Sequence, residues 1–174
     1  EQSITLFKKV AIFTSKADDV KEPLAAAFEK LDQVSGDFEA LLGKSAEAWK
    51  TIWDKTDMQV TGDRFSQKLL RLHLYHLMVS MSPHNSTIDA SITARGLHGE
   101  AYRGHIFWDE LFIMPLYDIN LPEVAKSMLM YRYRRLGKAI AYAKEYGYSG
   151  AMFPWQSGSD GSEETQVIHL NPLN

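Results

Sequence analysis

The spacing of apolar residues along this chain predicts mainly helical structure. Three segments carry apolar residues at steps of three and four, which is typical of a helix with one buried face. They run from Asp18 or Asp19 to Val34, from Asp37 to Trp53, and from Asp63 to Met81. Each begins at an aspartate that can cap a first turn. The third has apolar residues around more than one stripe, so we expect burial on two sides.

A long loop separates these helices from two more. Residues 82–105 are rich in glycine, proline and small polar residues, but also hold aliphatic and aromatic positions, so they predict an ordered loop. Residues 107–117 predict a short helix that Pro115 kinks or ends. Residues 121–146 predict one longer helix with a proline in its first turn. From residue 149 to residue 174 the composition again predicts a loop.

One strand is predicted, over Ile4–Phe13, where apolar residues occupy alternate positions. A single strand cannot form a sheet by itself, and no other segment is clearly a strand. We therefore expect its sheet to lie in sequence outside these 174 residues. The start at Glu1 has neither an initiator methionine nor a signal-peptide pattern, so we expect it to be the interior of a longer chain.

Charge and composition narrow the classes of function. A net charge of -3 and a pI near 6.1 argue against a nucleic-acid partner. The run Arg132–Arg135 is interpreted as a solvated helix face. There are no cysteines, which excludes disulfides, thiol nucleophiles and cysteine metal sites. No apolar stretch is long enough for a membrane span, and His73 and His76 lack a third metal ligand at a useful spacing, so neither a membrane nor a metal is expected.

Three segments combine aromatic rings with polar groups: Glu100–His105, Phe107–Glu110 and Phe153–Ser157. A sugar site needs this mixture, because the C–H face of a pyranose stacks on an aromatic ring while its hydroxyls need polar partners. Trp108 followed directly by Asp109 is the strongest such pair. The segments are therefore candidates for a sugar-binding wall.

Each candidate also has a structural interpretation. Trp108 and Trp155 can simply be core aromatics, which is the usual role of an isolated tryptophan, and Asp109 is equally suited to capping a helix. Arg103 can simply hold the loop by bonding carbonyl groups. Glu163 and Glu164 form an acid/base candidate, although adjacent acids on a loop are more often solvated.

The ordered motifs resemble the central catalytic domain of glycoside hydrolase family 65. The longest is Ala94-Arg-Gly-Leu-His-Gly-Glu-Ala-Tyr-Arg-Gly-His-Ile-Phe-Trp-Asp-Glu110. Two others are Tyr131-Arg-Tyr-Arg-Arg-Leu136 and Gly150-Ala-Met-Phe-Pro-Trp-Gln-Ser157, followed by Glu163-Glu-Thr165. The similarity is strong from about Gln67 to Asn174. This family contains maltose, trehalose, kojibiose and nigerose phosphorylases together with some α-glucoside hydrolases.

The resemblance implies the N-terminal part of an (α/α)6 barrel. Residues 1–16 would then be the last strand of a preceding β-sandwich, residues 17–60 a helical linker, and residues 61–174 an incomplete part of the barrel. It further implies that six residues bind the substrate in the subsite for the non-reducing glucose. These are Trp108, Asp109, Tyr102, Arg103, Trp155 and Gln156. Many family members have Trp-Glu where this chain has Trp155-Gln156, which removes a charge and puts the sugar preference or reaction subtype in doubt.

The resemblance places no catalytic residue in this segment, because the family's general acid glutamate belongs to a motif that does not occur here. The expected function is the substrate-binding part of an inverting phosphorylase or hydrolase acting on an α-linked glucose disaccharide. No cofactor is implied, but inorganic phosphate is the co-substrate of a phosphorylase. A phosphorylase would be cytoplasmic, a hydrolase periplasmic or secreted, and the full-length protein a homodimer. The alternative is a non-catalytic helical binding module.

Overall fold

The computed structural model describes residues 3–97, 99 and 101–165. Within them the chain is mainly helical, as predicted. The α-helices are α1 (Pro23–Gln33), α2 (Phe38–Thr56), α3 (Arg64–Ser80), α4 (Glu110–Asn120), α5 (Pro122–Arg134) and α6 (Leu136–Glu145). Short 3₁₀ turns form at Pro83–Asn85 and Tyr102–Gly104. None of the described helices is long and apolar enough to cross a membrane.

The chain divides into two compact units, Glu1–Asp57 and Met58–Asn174. In the first, residues 3–13 are not a strand, because the described part of the chain offers them no partner strand. Lys9 instead donates to the carbonyls of Val34 and Gly36 at 3.3 and 3.2 Å. The predicted strand is therefore not formed in this structure, and its assignment to a sandwich domain stays a prediction.

Helix α1 begins later than the predicted Asp18 or Asp19. A residue before proline is disfavoured in the helical region, and Glu22 accordingly has an extended backbone (φ -124°, ψ 91°) before Pro23 opens the helix. For α2 the predicted cap is confirmed, since the Asp37 carboxylate accepts from the Ala40 amide at 2.9 Å.

In the second unit, Asp63 caps α3 as predicted by accepting from the Phe65 amide at 2.9 Å. Only one face of α3 is buried among the described residues, through Leu74 and Met78, so the predicted burial on two sides is wrong here. Phe65 remains 68% exposed.

Helix α4 starts at Glu110 and runs through Pro115 to Asn120, so it neither begins at residue 107 nor stops at the proline. Tertiary packing outweighs the missing proline N–H, because Tyr117 is completely buried and its hydroxyl donates to the Leu77 carbonyl at 2.7 Å. The second half of α4 is thereby held to α3.

The predicted helix over residues 121–146 is divided into α5 and α6 at Arg135 (φ -103°, ψ 8°). The Arg135 guanidinium donates to the Tyr131 carbonyl at 3.0 Å, which is the acceptor that its own amide would use in a continuous helix. That amide bonds to the Arg132 carbonyl instead.

The core of the second unit lies where α4, α5 and α6 meet the loop residues around Ile92 and Ile106. Its buried apolar residues are Leu74, Met78, Met81, Ile92, Ile106, Phe107, Tyr117, Leu121, Val124, Ala125, Met128, Tyr131, Ala139 and Ala143. This core supports the two long loops from one side.

Candidate functional site

Two loops distant in sequence are joined by main-chain hydrogen bonds. Ile106 and Ser157 exchange both of their amide–carbonyl bonds, at 3.2 and 2.9 Å. Ser157 also bridges to Glu163. Ser157 is buried, and its hydroxyl lies 2.7 Å from that of Tyr131 on α5. The segments around residues 102–110 and 153–157, predicted separately, are thus brought together, while Glu100 lies outside the described residues.

An aromatic cluster forms where these loops meet. The Trp108 and Trp155 rings lie 5.7 Å apart at 42°, and Phe107 contacts Trp155 at 6.4 Å and Tyr102 at 5.0 Å. Phe107 is buried, whereas Trp108 is 43% and Trp155 46% exposed. In this structure the two tryptophans are therefore not core residues, and each presents an accessible part of its ring.

The tryptophans line one hollow of about 530 Å³, which we call the tryptophan hollow. Its wall also contains Arg132 and the buried Glu110. Volumes of this size are ordinary for small-molecule sites. The other lining residues are Leu111, Met114, Leu129, Tyr142, Met152, Phe153, Pro154 and Glu163.

Asp109 lines a second hollow of about 350 Å³, the aspartate hollow. Here it is joined by His73, His76 and Arg95, and Glu110 lines both hollows. Trp108 and Asp109 thus face different spaces although they are adjacent in sequence. Asp109 does occupy the N-cap position of α4, but its side chain makes no capping hydrogen bond. The capping interpretation is not realised.

Tyr102 and Arg103 lie in a turn with left-handed backbone, at φ 55° and 51°. The Arg103 guanidinium reaches the Glu164 carbonyl at 3.4 Å, as expected if it holds the loop. Gln156 is half-buried. Its main-chain N–H donates to the Glu163 carboxylate, and its main-chain carbonyl accepts from the Glu164 N–H.

Residues 71–174 match the model of the glycosyl hydrolase family 65 central catalytic domain. The chain belongs to this family. Among its relatives, an uncharacterised glycosyl hydrolase of Mycobacterium tuberculosis is 46% identical over 98% of this chain. A trehalose 6-phosphate phosphorylase of Lactococcus lactis is 38% identical over 97% of the chain, and a kojibiose hydrolase of Flavobacterium johnsoniae is 44% identical over 75%. The chain spans 13%, 22% and 19% of the lengths of these three relatives.

Membership confirms the resemblance stated from the motifs, and the helical architecture is consistent with part of an (α/α) barrel. The family also contains the relatives named kojibiose phosphorylase and α,α-trehalose phosphorylase. Its named members therefore include both phosphorylases and a hydrolase of carbohydrate metabolism. The roles of individual residues in this family 65 segment stay predictions.

Glu163 and Glu164 both bond to neighbouring loop residues, but only Glu163 is partly buried, so the solvated interpretation is wrong for Glu163 and holds for the exposed Glu164. The Glu163 carboxylate accepts from the amides of Trp155, Gln156 and Thr165 at 2.6, 3.2 and 2.9 Å, and from the Thr165 hydroxyl at 2.6 Å. Burial raises the pKa of Glu163, but these hydrogen bonds lower it more, so the pKa lies below its ordinary value. A carboxylate fully engaged as an acceptor is poorly suited to donating a proton.

The arginine run at the C-terminal end of α5 is the clearest site feature that the sequence interpretation missed. Arg132 and Arg135 are not solvated, with Arg135 only 8% exposed and the Arg132 side chain 15% exposed. Arg134, with 42% of its side chain exposed, and Tyr133 do face solvent, so the prediction holds for these two positions. A signal existed in the spacing, because Arg135 follows the buried Met128 and Tyr131 at steps of seven and four, on the same helix face.

Arg132 fixes the position of the segment that contains Trp108. Arg132 donates to the Glu110 carboxylate at 2.6 Å and to the Phe107 carbonyl at 3.3 Å, while Ser91 donates to the other Glu110 oxygen at 2.8 Å. The segment that carries Trp108 is therefore fixed to α5.

No group of residues suited to a metal ion occurs within the described part of the chain.

Arg135 anchors the second loop through its planar guanidinium. Its two terminal nitrogens donate to the two Asp89 carboxylate oxygens, at 2.9 and 3.0 Å, and Nη2 also donates to the Ser159 carbonyl at 2.6 Å. It also stacks 3.8 Å from the centre of the Tyr131 ring. The bonds from Arg135 are the main reason that the pKa of Asp89 lies below its ordinary value.

Proposed function

We propose that this chain is the glucose-holding part of an inverting phosphorylase or hydrolase that acts on α-linked glucose disaccharides. The observation that carries the proposal is the pair Trp108 and Trp155, two half-exposed rings 5.7 Å apart on one hollow. Pyranose C–H faces favour such rings. The charged wall formed by Glu110 and Arg132 suits hydroxyl groups.

The neighbouring aspartate hollow supports the same assignment. Asp109 lines it without a capping bond, so its carboxylate is available to accept from sugar hydroxyls. Tyr102 and Arg103 lie beside the aromatic cluster and would contact the sugar from its edge. Gln156 would offer an amide where many family members offer a carboxylate, which favours a difference in sugar preference.

The reaction itself requires groups that we expect elsewhere in the protein. An inverting mechanism uses a general acid on the leaving oxygen, with phosphate or base-activated water attacking the opposite face. Relatives named as phosphorylases and as a hydrolase support both versions. The contribution of this segment would be to orient the glucose and stabilise the transition state.

The test compares Trp108→Ala and Asp109→Ala in the enzyme that contains this segment. Glucose 1-phosphate release is measured from kojibiose, maltose, nigerose, trehalose and trehalose 6-phosphate with phosphate, and glucose release without it. Each change should lower kcat/KM by roughly ten- to a hundred-fold, since stacking and charge-assisted bonds are worth about 1–3 kcal/mol.

Matched controls are Tyr148→Ala and Asp118→Ala, which remove an exposed ring and an exposed carboxylate away from both hollows. They should leave turnover unchanged. The 174-residue chain alone should show no turnover. Unchanged turnover in the Trp108 and Asp109 variants, with loss of a protein partner instead, would establish the helical binding module.

A further inference from the structure

Three consecutive residues of the loop beside the tryptophan hollow have left-handed backbone. Tyr102, Arg103 and Gly104 have φ values of 55°, 51° and 71°. Glycine adopts this conformation freely, but tyrosine and arginine do so at a steric cost. Such a run persists only where surrounding contacts hold it.

His105 supplies those contacts from the residue that follows the turn. Its amide and its ring Nδ1 both lie within bonding distance of the Tyr102 carbonyl, at 2.9 and 2.8 Å. Its ring Nε2 lies 2.6 Å from the Glu164 carboxylate. The Tyr102 carbonyl can only accept, so Nδ1 donates to it, and the contact between Nε2 and Glu164 is a hydrogen bond that the ring and the carboxyl group share. This contact has the length of a charge-assisted ion pair.

Glu164 connects this turn to the loop that carries Trp155. Its amide donates to the Gln156 carbonyl at 3.0 Å, next to Trp155, and its carbonyl accepts from Arg103 at 3.4 Å. The His105 side chain is 10% exposed and that of Glu164 43%. One residue thus bonds to the loop that carries Trp155, to Arg103 within the strained turn and to His105 directly after it.

We propose that His105 and Glu164 are positioning residues that hold Tyr102 and Arg103 against the sugar at the edge of the tryptophan hollow. The inference rests on the proposed function, since it concerns the same disaccharide site. Tyr102 is 53% exposed and its ring abuts Phe107, which in turn contacts Trp155. Without the ion pair the turn would relax, and Tyr102 and Arg103 would leave the edge of the site.

The experiment uses Glu164→Ala and Glu164→Gln in the enzyme that contains this segment. Because the pair orients groups that bind sugar throughout the reaction, we expect Glu164→Ala to raise the disaccharide KM about ten-fold with little change in kcat. Glu164→Gln keeps an acceptor for His105 and should recover most of the loss. In a Tyr102→Ala, Arg103→Ala background, Glu164→Ala should have no further effect on KM.

The matched control is Lys138→Ala. Lys138 lies on α6 and forms an ion pair of the same length, 2.6 Å, with Asp160, which is in the same loop as Glu164. This substitution should leave KM unchanged. An unchanged KM in Glu164→Ala and His105→Ala, when Trp108→Ala and Trp155→Ala weaken binding, overturns this inference alone. If the tryptophan variants also bind normally, the proposed function fails and this inference with it. Equal losses in the wild-type and Tyr102, Arg103 backgrounds would show a merely structural role.

Discussion

Replacing Gly161 by alanine tests whether the Arg135 anchor is rigid. Gly161 has φ 85°, and a Cβ atom built on it would lie 2.8 Å from both Cγ and Cδ of Arg135. Real Cβ atoms do not approach so closely, so either the loop or the arginine must move. The arginine is fixed by Asp89, by the Ser159 carbonyl and by the Tyr131 ring.

The expected cost has two parts. A non-glycine residue in the left-handed region costs about 1–2 kcal/mol, and forcing extra volume into a packed site costs about 1–3 kcal/mol. Gly161→Ala should therefore lower the free energy of unfolding by about 2–5 kcal/mol. Gly147→Ala is the matched control, because Gly147 has φ 79° but no described atom lies within 4 Å of its added Cβ. It should cost only about 1–2 kcal/mol.

The measurement is equilibrium urea unfolding followed by circular dichroism for the wild type and both variants. A double-mutant comparison, Arg135→Ala with and without Gly161→Ala, removes Cγ and Cδ of Arg135 and leaves only its Cβ, 3.0 Å from the new methyl group. The cost of Gly161→Ala should then fall toward that of Gly147→Ala, which gives a coupling energy of about 1–3 kcal/mol. Equal costs for Gly161→Ala and Gly147→Ala in the wild-type background would refute the rigid anchor.

Two further predictions concern the charged groups beneath the site. Arg135 lowers the pKa of Asp89 from its ordinary 3.8. The ionised Asp89 therefore stabilises the folded protein above about pH 5, and this contribution to the free energy of unfolding is lost as pH falls through the lowered pKa. Asp89→Asn should destabilise the protein at neutral pH and match the wild type in acid, as measured by urea unfolding across pH; a constant difference would contradict this. Arg132→Met leaves Glu110 buried without its cation and should cost about 3–5 kcal/mol. Adding Glu110→Gln should restore at least half of that, whereas additive losses would argue against the pair.

Local signals in the sequence predicted the helices where they have a direct physical cause. Asp37 and Asp63 cap α2 and α3 because a short acidic side chain can reach the free amides of a first turn. Gly147 ends α6 with φ 79°, a conformation that glycine tolerates. The start of α1 follows from the same kind of reasoning, since Pro23 restricts Glu22 to an extended backbone, and this restriction prevails over the capping capacity of Asp18 and Asp19.

The arginines on α5 could not be placed from the sequence by charge alone. An arginine on a helix face is usually solvated, and its burial here depends on Asp89 and Glu110, which lie 46 and 22 positions away from Arg135 and Arg132. Only the folded loops bring these partners within reach. The helical spacing from Met128 was a usable signal, because a buried face that continues to Arg135 requires a buried partner for it.

The separation of Trp108 from Asp109 shows why a motif does not give the geometry of a site. A helix from residue 107 would place both on the same turn, but α4 begins at Glu110. Residues 107–109 are instead positioned by two hydrogen bonds from Arg132, one to the Glu110 carboxylate and one to the Phe107 carbonyl. This anchoring directs Trp108 to one hollow and Asp109 to the other. If both contact one glucose, the sugar must lie across the Glu110 carboxylate that lines both hollows, and any shift of Arg132 would misplace both groups together.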